Sequence, residues 1–100
     1  MNIGKDVISQ LSEIISEKRS QNPKESYTAK LFQEGKVKIA NKLGEEAIET
    51  ISAFLSQSDN EVKEEVADLV YHLLVLLEHS RVSWEDILKT LEIRMKNDWY

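Results

Sequence analysis

The sequence predicts an all-α fold, a bundle of four to five helices, and three observations carry that expectation. Apolar residues recur at spacings of three and four along most of the chain. Only one proline and three glycines interrupt 100 residues, and no strand-like alternation of useful length occurs. The segments between periodic stretches are short, so neighbouring helices should pack antiparallel.

The first helix runs from Ile3 to about Gln21, with Val7, Ile8, Leu11, Ile14 and Ile15 on one face. Asn22-Pro23 breaks it. After a loop, Ser26 or Thr28 caps a short helix from about Ala29 to Glu34, which Gly35 interrupts or ends. A third helix spans about Val37 to Leu55, its apolar positions including Ile39, Leu43, Ile48, Ile51, Phe54 and Leu55. Ser58 followed three residues later by Glu61 reads as a capping box that opens a fourth helix, reaching about Glu78. Ser83 caps a fifth, from Trp84 to about Lys96, with Glu85 and Asp86 suited to its first turn.

One hundred residues make one domain, residues 1–100, with a single core of marginal size. With 41% hydrophobic and 31% charged residues, the composition is globular. The absence of cysteine excludes disulfides, thiolate metal sites and a cysteine nucleophile. Met1 to Asp6 lacks the basic and apolar regions of a signal peptide, and the longest apolar run, Leu73 to Leu77, is too short for a bilayer. A soluble cytoplasmic protein is expected, with no membrane partner.

The net charge of −5 argues against duplex nucleic acid as a partner. It is unevenly spread. Lys18 to Lys42 holds seven lysines and arginines against two glutamates, a balance of +5, which leaves −10 for the remainder. Such a segment beside acidic helices suits a metal-chelated polyphosphate; it also suits a chain whose charges only decorate solvated faces.

The acids fall in a pattern. At about 100° per residue, Glu45, Glu46 and Glu49 share roughly one quadrant of the third helix. Glu61, Glu65, Asp68 and His72 form a similar stripe on the fourth. The pairs Glu46/Glu49 and Glu65/Asp68, each at i, i+3, could face each other across an antiparallel helix pair. Like charges so spaced cost about 0.2–0.5 kcal/mol each, which a divalent cation would offset. Oxygen-only ligands suit Mg²⁺ or Mn²⁺. The alternative is a solvated acidic face, since the third-helix glutamates lie roughly opposite the apolar stripe. The fourth-helix acids border Val62, Leu69 and Leu76, where desolvation is expected. Zinc is disfavoured, because His72 and His79 are the only histidines. No Glu-x-x-His pair supports a di-iron site. His72 reads as a packing residue ahead of a ligand.

Glu45-Glu46-x-x-Glu49, fifteen residues, then Glu65-x-x-Asp68 resembles the metal-binding signature of the MazG-like, all-α nucleoside triphosphate pyrophosphohydrolases. The flanks narrow the likeness. Ser26 to Leu31, Lys42 to Glu49 and Glu65 to Leu77 look like the phosphoribosyl-ATP pyrophosphohydrolase family, over nearly the whole chain and without a cyclohydrolase domain. The resemblance implies hydrolysis of the α–β phosphoanhydride of 1-(5-phosphoribosyl)-ATP to the AMP derivative and pyrophosphate, the second step of histidine synthesis. It implies Mg²⁺ on Glu46, Glu49, Glu65 and Asp68, with Mn²⁺ as a possible substitute. Glu45 is then the candidate to orient or deprotonate the attacking water. Lys30 and Lys42 would contact phosphates, Tyr27 and Thr28 would shape the pocket edge, and a homodimer is implied. Two other readings remain: a housecleaning enzyme acting on (d)NTPs such as dUTP or dCTP, and a non-enzymatic helical interaction module using its acidic faces and Trp99-Tyr100.

Overall fold

A computed structural model describes residues 3–56 and 58–100, which form five helices; Met1, Asn2 and Gln57 lie outside the description. They are α1 (Ile3–Lys18), α2 (Tyr27–Glu34), α3 (Lys36–Ser56), α4 (Asp59–Ser80) and α5 (Trp84–Lys96). No strand occurs among the described residues, as the periodicity predicts. No helix among them is long and apolar enough to cross a membrane.

The helix ends follow from local chemistry. α1 stops at Lys18, three residues before the expected Gln21, and Arg19 still closes a last backbone bond to Ile15. α2 begins two residues earlier than expected, because Ser26 is the cap and accepts the Ala29 N–H at 3.1 Å. Gly35 ends α2 with φ +94°, a conformation that strains any L side chain. α3 starts at the very next residue, so this single glycine sets the angle between α2 and α3.

Caps supply one correction. Ser58 does stand at the N-cap of α4, but its hydroxyl bonds the Glu61 carboxylate and does not cap the backbone. The reciprocal box forms at Ser83 instead. Its hydroxyl accepts the Asp86 N–H at 3.1 Å, and the Asp86 carboxylate accepts the Ser83 N–H at 3.1 Å.

The core gathers around the C-terminal half of α4. Ile15, Leu31, Ile39, Leu74, Val75 and Leu77 form its buried cluster, with Trp84 and Ile87 packed at its margin. α1 and α3 pack against α4, and α2 bridges α1 and α3. Arg19 ties the outer layer down. Its guanidinium meets the Glu78 carboxylate at 2.9 Å and lies over the Phe32 ring at 4.7 Å, and Phe32 stacks on His79. Arg19 thus belongs to packing, although it counts toward the basic segment.

The burial of α3 follows the sequence expectation at Ile39 and Leu43 and reverses it further along the helix. The line that meets α4 runs through Ile39, Glu46, Thr50 and Ala53, at helical spacings of seven, four and three. The stripe expected to be core, with Ile48 at 69% exposure, Ile51 at 58% and Leu55 at 74%, lies on the opposite face. Residue-type hydrophobicity assigns the larger apolar side chains to the core; the chain instead buries a glutamate and an alanine there, with a half-buried threonine between them.

Candidate active site

The buried line of α3 carries the acids into the α3–α4 contact. The Thr50 hydroxyl donates to the Glu46 carbonyl at 2.8 Å and lies 3.3 Å from the Glu65 carbonyl across the helix pair. Glu46, one turn before Thr50, faces the later Asp68 and His72, so α3 and α4 run antiparallel, the arrangement that the short connection predicts. Carboxylate oxygens of Glu46, Glu49 and Glu65 all lie within 4.8 Å of one another. Glu46 is buried, Glu65 is half-buried and Glu49 is exposed. Asp68 is exposed and outside this triad, although its charge still acts on Glu46 and Glu65.

Two of these oxygens decide how the cluster is read. Oε2 of Glu46 and Oε2 of Glu65 are buried and have no hydrogen-bond partner among the described residues. A buried carboxylate oxygen without a donor is costly. Burial pushes the Glu46 carboxyl above its ordinary 4.5, and the charge of Glu49 adds to the rise. Glu65 is raised in the same way, by desolvation first and then by the neighbouring Glu49 carboxylate. The donor set is all oxygen, multiply charged and partly dry. It fits a hard divalent cation, which would supply the charge that the surrounding residues do not.

Glu45 behaves differently from its neighbour. It points into solvent and pairs with Lys42 at 3.0 Å. The hydrogen bond from Lys42 holds the Glu45 carboxyl below its ordinary range, and the same contact raises the Lys42 ammonium.

Beside the acids lies a basic cleft of ≈ 160 Å³, lined by Tyr27, Lys30, Leu31, Glu34, Lys38 and Lys42. Its walls are α2 and α3, and their angle is the one set at Gly35. A more open depression of ≈ 520 Å³ continues from Tyr27 and Lys30 to Pro23, Lys24 and Gln33. Tyr27 and Lys30 border both. The Lys30 ammonium touches Glu34 only at 3.9 Å and stays largely exposed.

The sequence-derived residues thus separate into groups. Glu46, Glu49 and Glu65 come together, with Asp68 at their edge. Tyr27, Lys30 and Lys42 line the cleft. Thr28 is buried and lines neither depression; its hydroxyl bonds that of Tyr71, so it shapes the site from behind. Sequence reasoning missed Thr50, Tyr71 and the polar role of His72. Thr50 had a usable signal, its place four residues after Glu46 on the same stripe. The Thr28–Tyr71 bond spans 43 positions and had none.

Five helices with this carboxylate crossing make the fold one of the all-α, MazG-like pyrophosphohydrolase type. The match can be narrowed further. The family model described as phosphoribosyl-ATP pyrophosphohydrolase matches residues 8–95, and the chain belongs to that family. It is 45% identical over 91 residues to the phosphoribosyl-ATP pyrophosphatase of Metallosphaera sedula, covering 91% of this chain and 98% of that protein. The Saccharolobus solfataricus protein of the same name is 43% identical over 91 residues, covering 91% and 97%. The histidine biosynthesis bifunctional protein HisIE of Thermotoga maritima is 41% identical over 87 residues, which are 87% of this chain but 44% of that longer protein.

The raised carboxyls give a pH test. The folded state holds protons on Glu46 and Glu65 more tightly than the unfolded chain does, so stability falls as pH rises from 4.5 through the raised values. Glu45 and Asp86, held below their ordinary values, act with the opposite sign and only at lower pH. The melting temperature of the metal-free protein is expected to drop over the interval in which pH rises from 4.5 through the raised values, and Glu46→Gln to flatten that drop. A melting temperature that rises over this interval, with no change on Glu46→Gln, would contradict the electrostatic account of the cluster.

Proposed function

We propose that this chain hydrolyses 1-(5-phosphoribosyl)-ATP to 1-(5-phosphoribosyl)-AMP and pyrophosphate, with Mg²⁺ as cofactor, at the second step of histidine biosynthesis. The carrying observation is the pair of buried, donorless carboxylate oxygens of Glu46 and Glu65 next to a lysine-lined cleft. Membership of the phosphoribosyl-ATP pyrophosphohydrolase family supplies the substrate.

Glu46, Glu49 and Glu65 would hold the Mg²⁺, with Asp68 joining from the exposed edge. The chemistry such an ion supplies is neutralisation of the polyphosphate charge and polarisation of the phosphorus under attack. The chain's own groups do the rest by position and charge. Lys42 and Lys30 bind phosphate oxygens from the α3 and α2 walls of the cleft. Glu45, tied to Lys42 and held below the usual carboxylate range, is a weak base; it orients the attacking water. Water is the nucleophile, and the reaction requires no covalent enzyme intermediate.

The open depression beyond Lys30 has room for the second ribose-phosphate, the part that ATP lacks. A charge-assisted phosphate contact there is worth roughly 1.5–3 kcal/mol, or about ten- to a hundredfold.

We also propose a homodimer. Ile48, Ile51, Phe54 and Leu55 on α3 and Ile93 and Met95 on α5 are all more than half exposed. Ile48, Ile51 and Leu55, at helical spacings of three and four, make an exposed apolar stripe of the kind that marks an interaction surface.

Pyrophosphate release from phosphoribosyl-ATP is expected to exceed release from ATP, and excess chelator to abolish it. Lys30→Ala is expected to lower kcat/KM for phosphoribosyl-ATP by about tenfold or more while changing residual ATP turnover less. Equal losses would place Lys30 on the shared triphosphate. A wild-type preference for dUTP or dCTP would overturn the substrate assignment and leave the carboxylate site standing. Full turnover in chelator would overturn the metal.

Sedimentation at micromolar concentration is expected to show a dimer, and Ile48→Glu to shift it toward monomer. A wild type that sediments only as monomer would refute this assembly.

A further inference from the structure

His72 is buried, 6% exposed, on the α4 face that looks toward α2. Both ring nitrogens are engaged. Nδ1 lies 2.8 Å from the Asp68 carbonyl, which can only accept, so Nδ1 carries the proton. Nε2 lies 3.0 Å from the Tyr27 hydroxyl. In a neutral imidazole with Nδ1 protonated, Nε2 is the acceptor and the Tyr27 O–H donates to it. Tyr27 itself is 51% exposed, at the N-terminus of α2, and borders both depressions of the site. Its ring meets Tyr71 at 6.2 Å and the His72 ring edge-on at 5.9 Å.

A half-exposed tyrosine on the first turn of a short helix has rotamer freedom that a ligand must quench on binding. Here a rigid, buried imidazole anchors the hydroxyl beforehand. With its proton directed to Nε2, the Tyr27 oxygen offers lone pairs alone. Its partner is therefore a donor, such as a ribose hydroxyl or the Lys42 ammonium, not a phosphate oxygen.

We propose that His72 is a positioning residue for nucleotide binding: through its hydrogen bond it fixes Tyr27 between the two depressions, so that the tyrosine wall is preformed when substrate enters. This inference rests on the phosphoribosyl-ATP reading. It assigns His72 a part beyond core packing without making it a ligand.

A double-mutant cycle on Tyr27→Phe and His72→Leu tests it, with KM and kcat for phosphoribosyl-ATP measured separately. Tyr27 borders the two depressions and is not one of the cation-holding carboxylates, so the loss belongs in binding. Each single variant is expected to raise KM about three- to tenfold with kcat within about twofold of wild type. The double variant is expected to be no worse than either single one, because both remove the same hydrogen bond. If His72→Leu loses its helical circular dichroism, His72→Met carries the same cycle. A His72 variant that costs its full factor in the Tyr27→Phe background, or lowers kcat alone, overturns the positioning role. A wild type without phosphoribosyl-ATP turnover removes the functional reading and this inference together.

Discussion

A carboxylate oxygen buried without a donor is the constraint around which this molecule is organised. Glu46 and Glu65 each present one at the α3–α4 crossing. A helix pair optimised only for stability would fill that position with apolar groups, and the apolar groups are at hand: Ile48 and Ile51 stand nearby on the same helix, facing away. Keeping acids at the crossing destabilises the metal-free fold by like-charge repulsion and desolvation. Thr50 helps to hold the crossing, since its hydroxyl reaches the backbone of both helices and so leaves the carboxylate oxygens uncommitted. The apolar face displaced from the core is what a second subunit would cover.

The basic side of the site depends on a different device. Gly35 turns the chain between two helices with no intervening loop, and only a residue without a side chain takes its φ of +94° without strain. The turn sets the lysines of α2 beside those of α3. The lysine-lined cleft therefore lies beside the acids of the α3–α4 crossing. Lys42 and Glu45 join the halves, and their ion pair fixes which acid stays ionised at the rim. Glu45 and Glu46 are adjacent in sequence and shifted in opposite directions, Glu45 lowered by its lysine and Glu46 raised by burial. That divergence is what the proposed roles require, a water-orienting Glu45 beside a cation-holding Glu46.

Helices were legible because their periods are long and their breakers few. α5 matches its expected bounds, Trp84 to Lys96, since Ser83 and Asp86 mark its start unambiguously. Ser58 shows the limit of such a motif: the side chains pair with each other, and the backbone cap is not made. The direction of α3 was not legible. Hydrophobicity points to Ile48, Ile51 and Leu55 as core, and it fails there because Glu46 takes the buried position on the opposite face. The acidic pattern points to Glu46, Glu49, Glu65 and Asp68 as one set; the first three meet, and Asp68 lies exposed outside them. The sequence could not say that Thr28 faces inward or that His72 reaches Tyr27, because those contacts join positions more than 40 residues apart.

The central claim is that the α3–α4 crossing is built to hold a divalent cation. Titration of Mn²⁺ into the metal-free protein, with the free ion followed by electron paramagnetic resonance, tests it without any substrate. The account predicts saturable binding to the wild type and at least about tenfold weaker binding to Glu65→Gln, whose lost charge removes a ligand from the buried side. Binding that is absent in the wild type, or unchanged by Glu65→Gln, would contradict it.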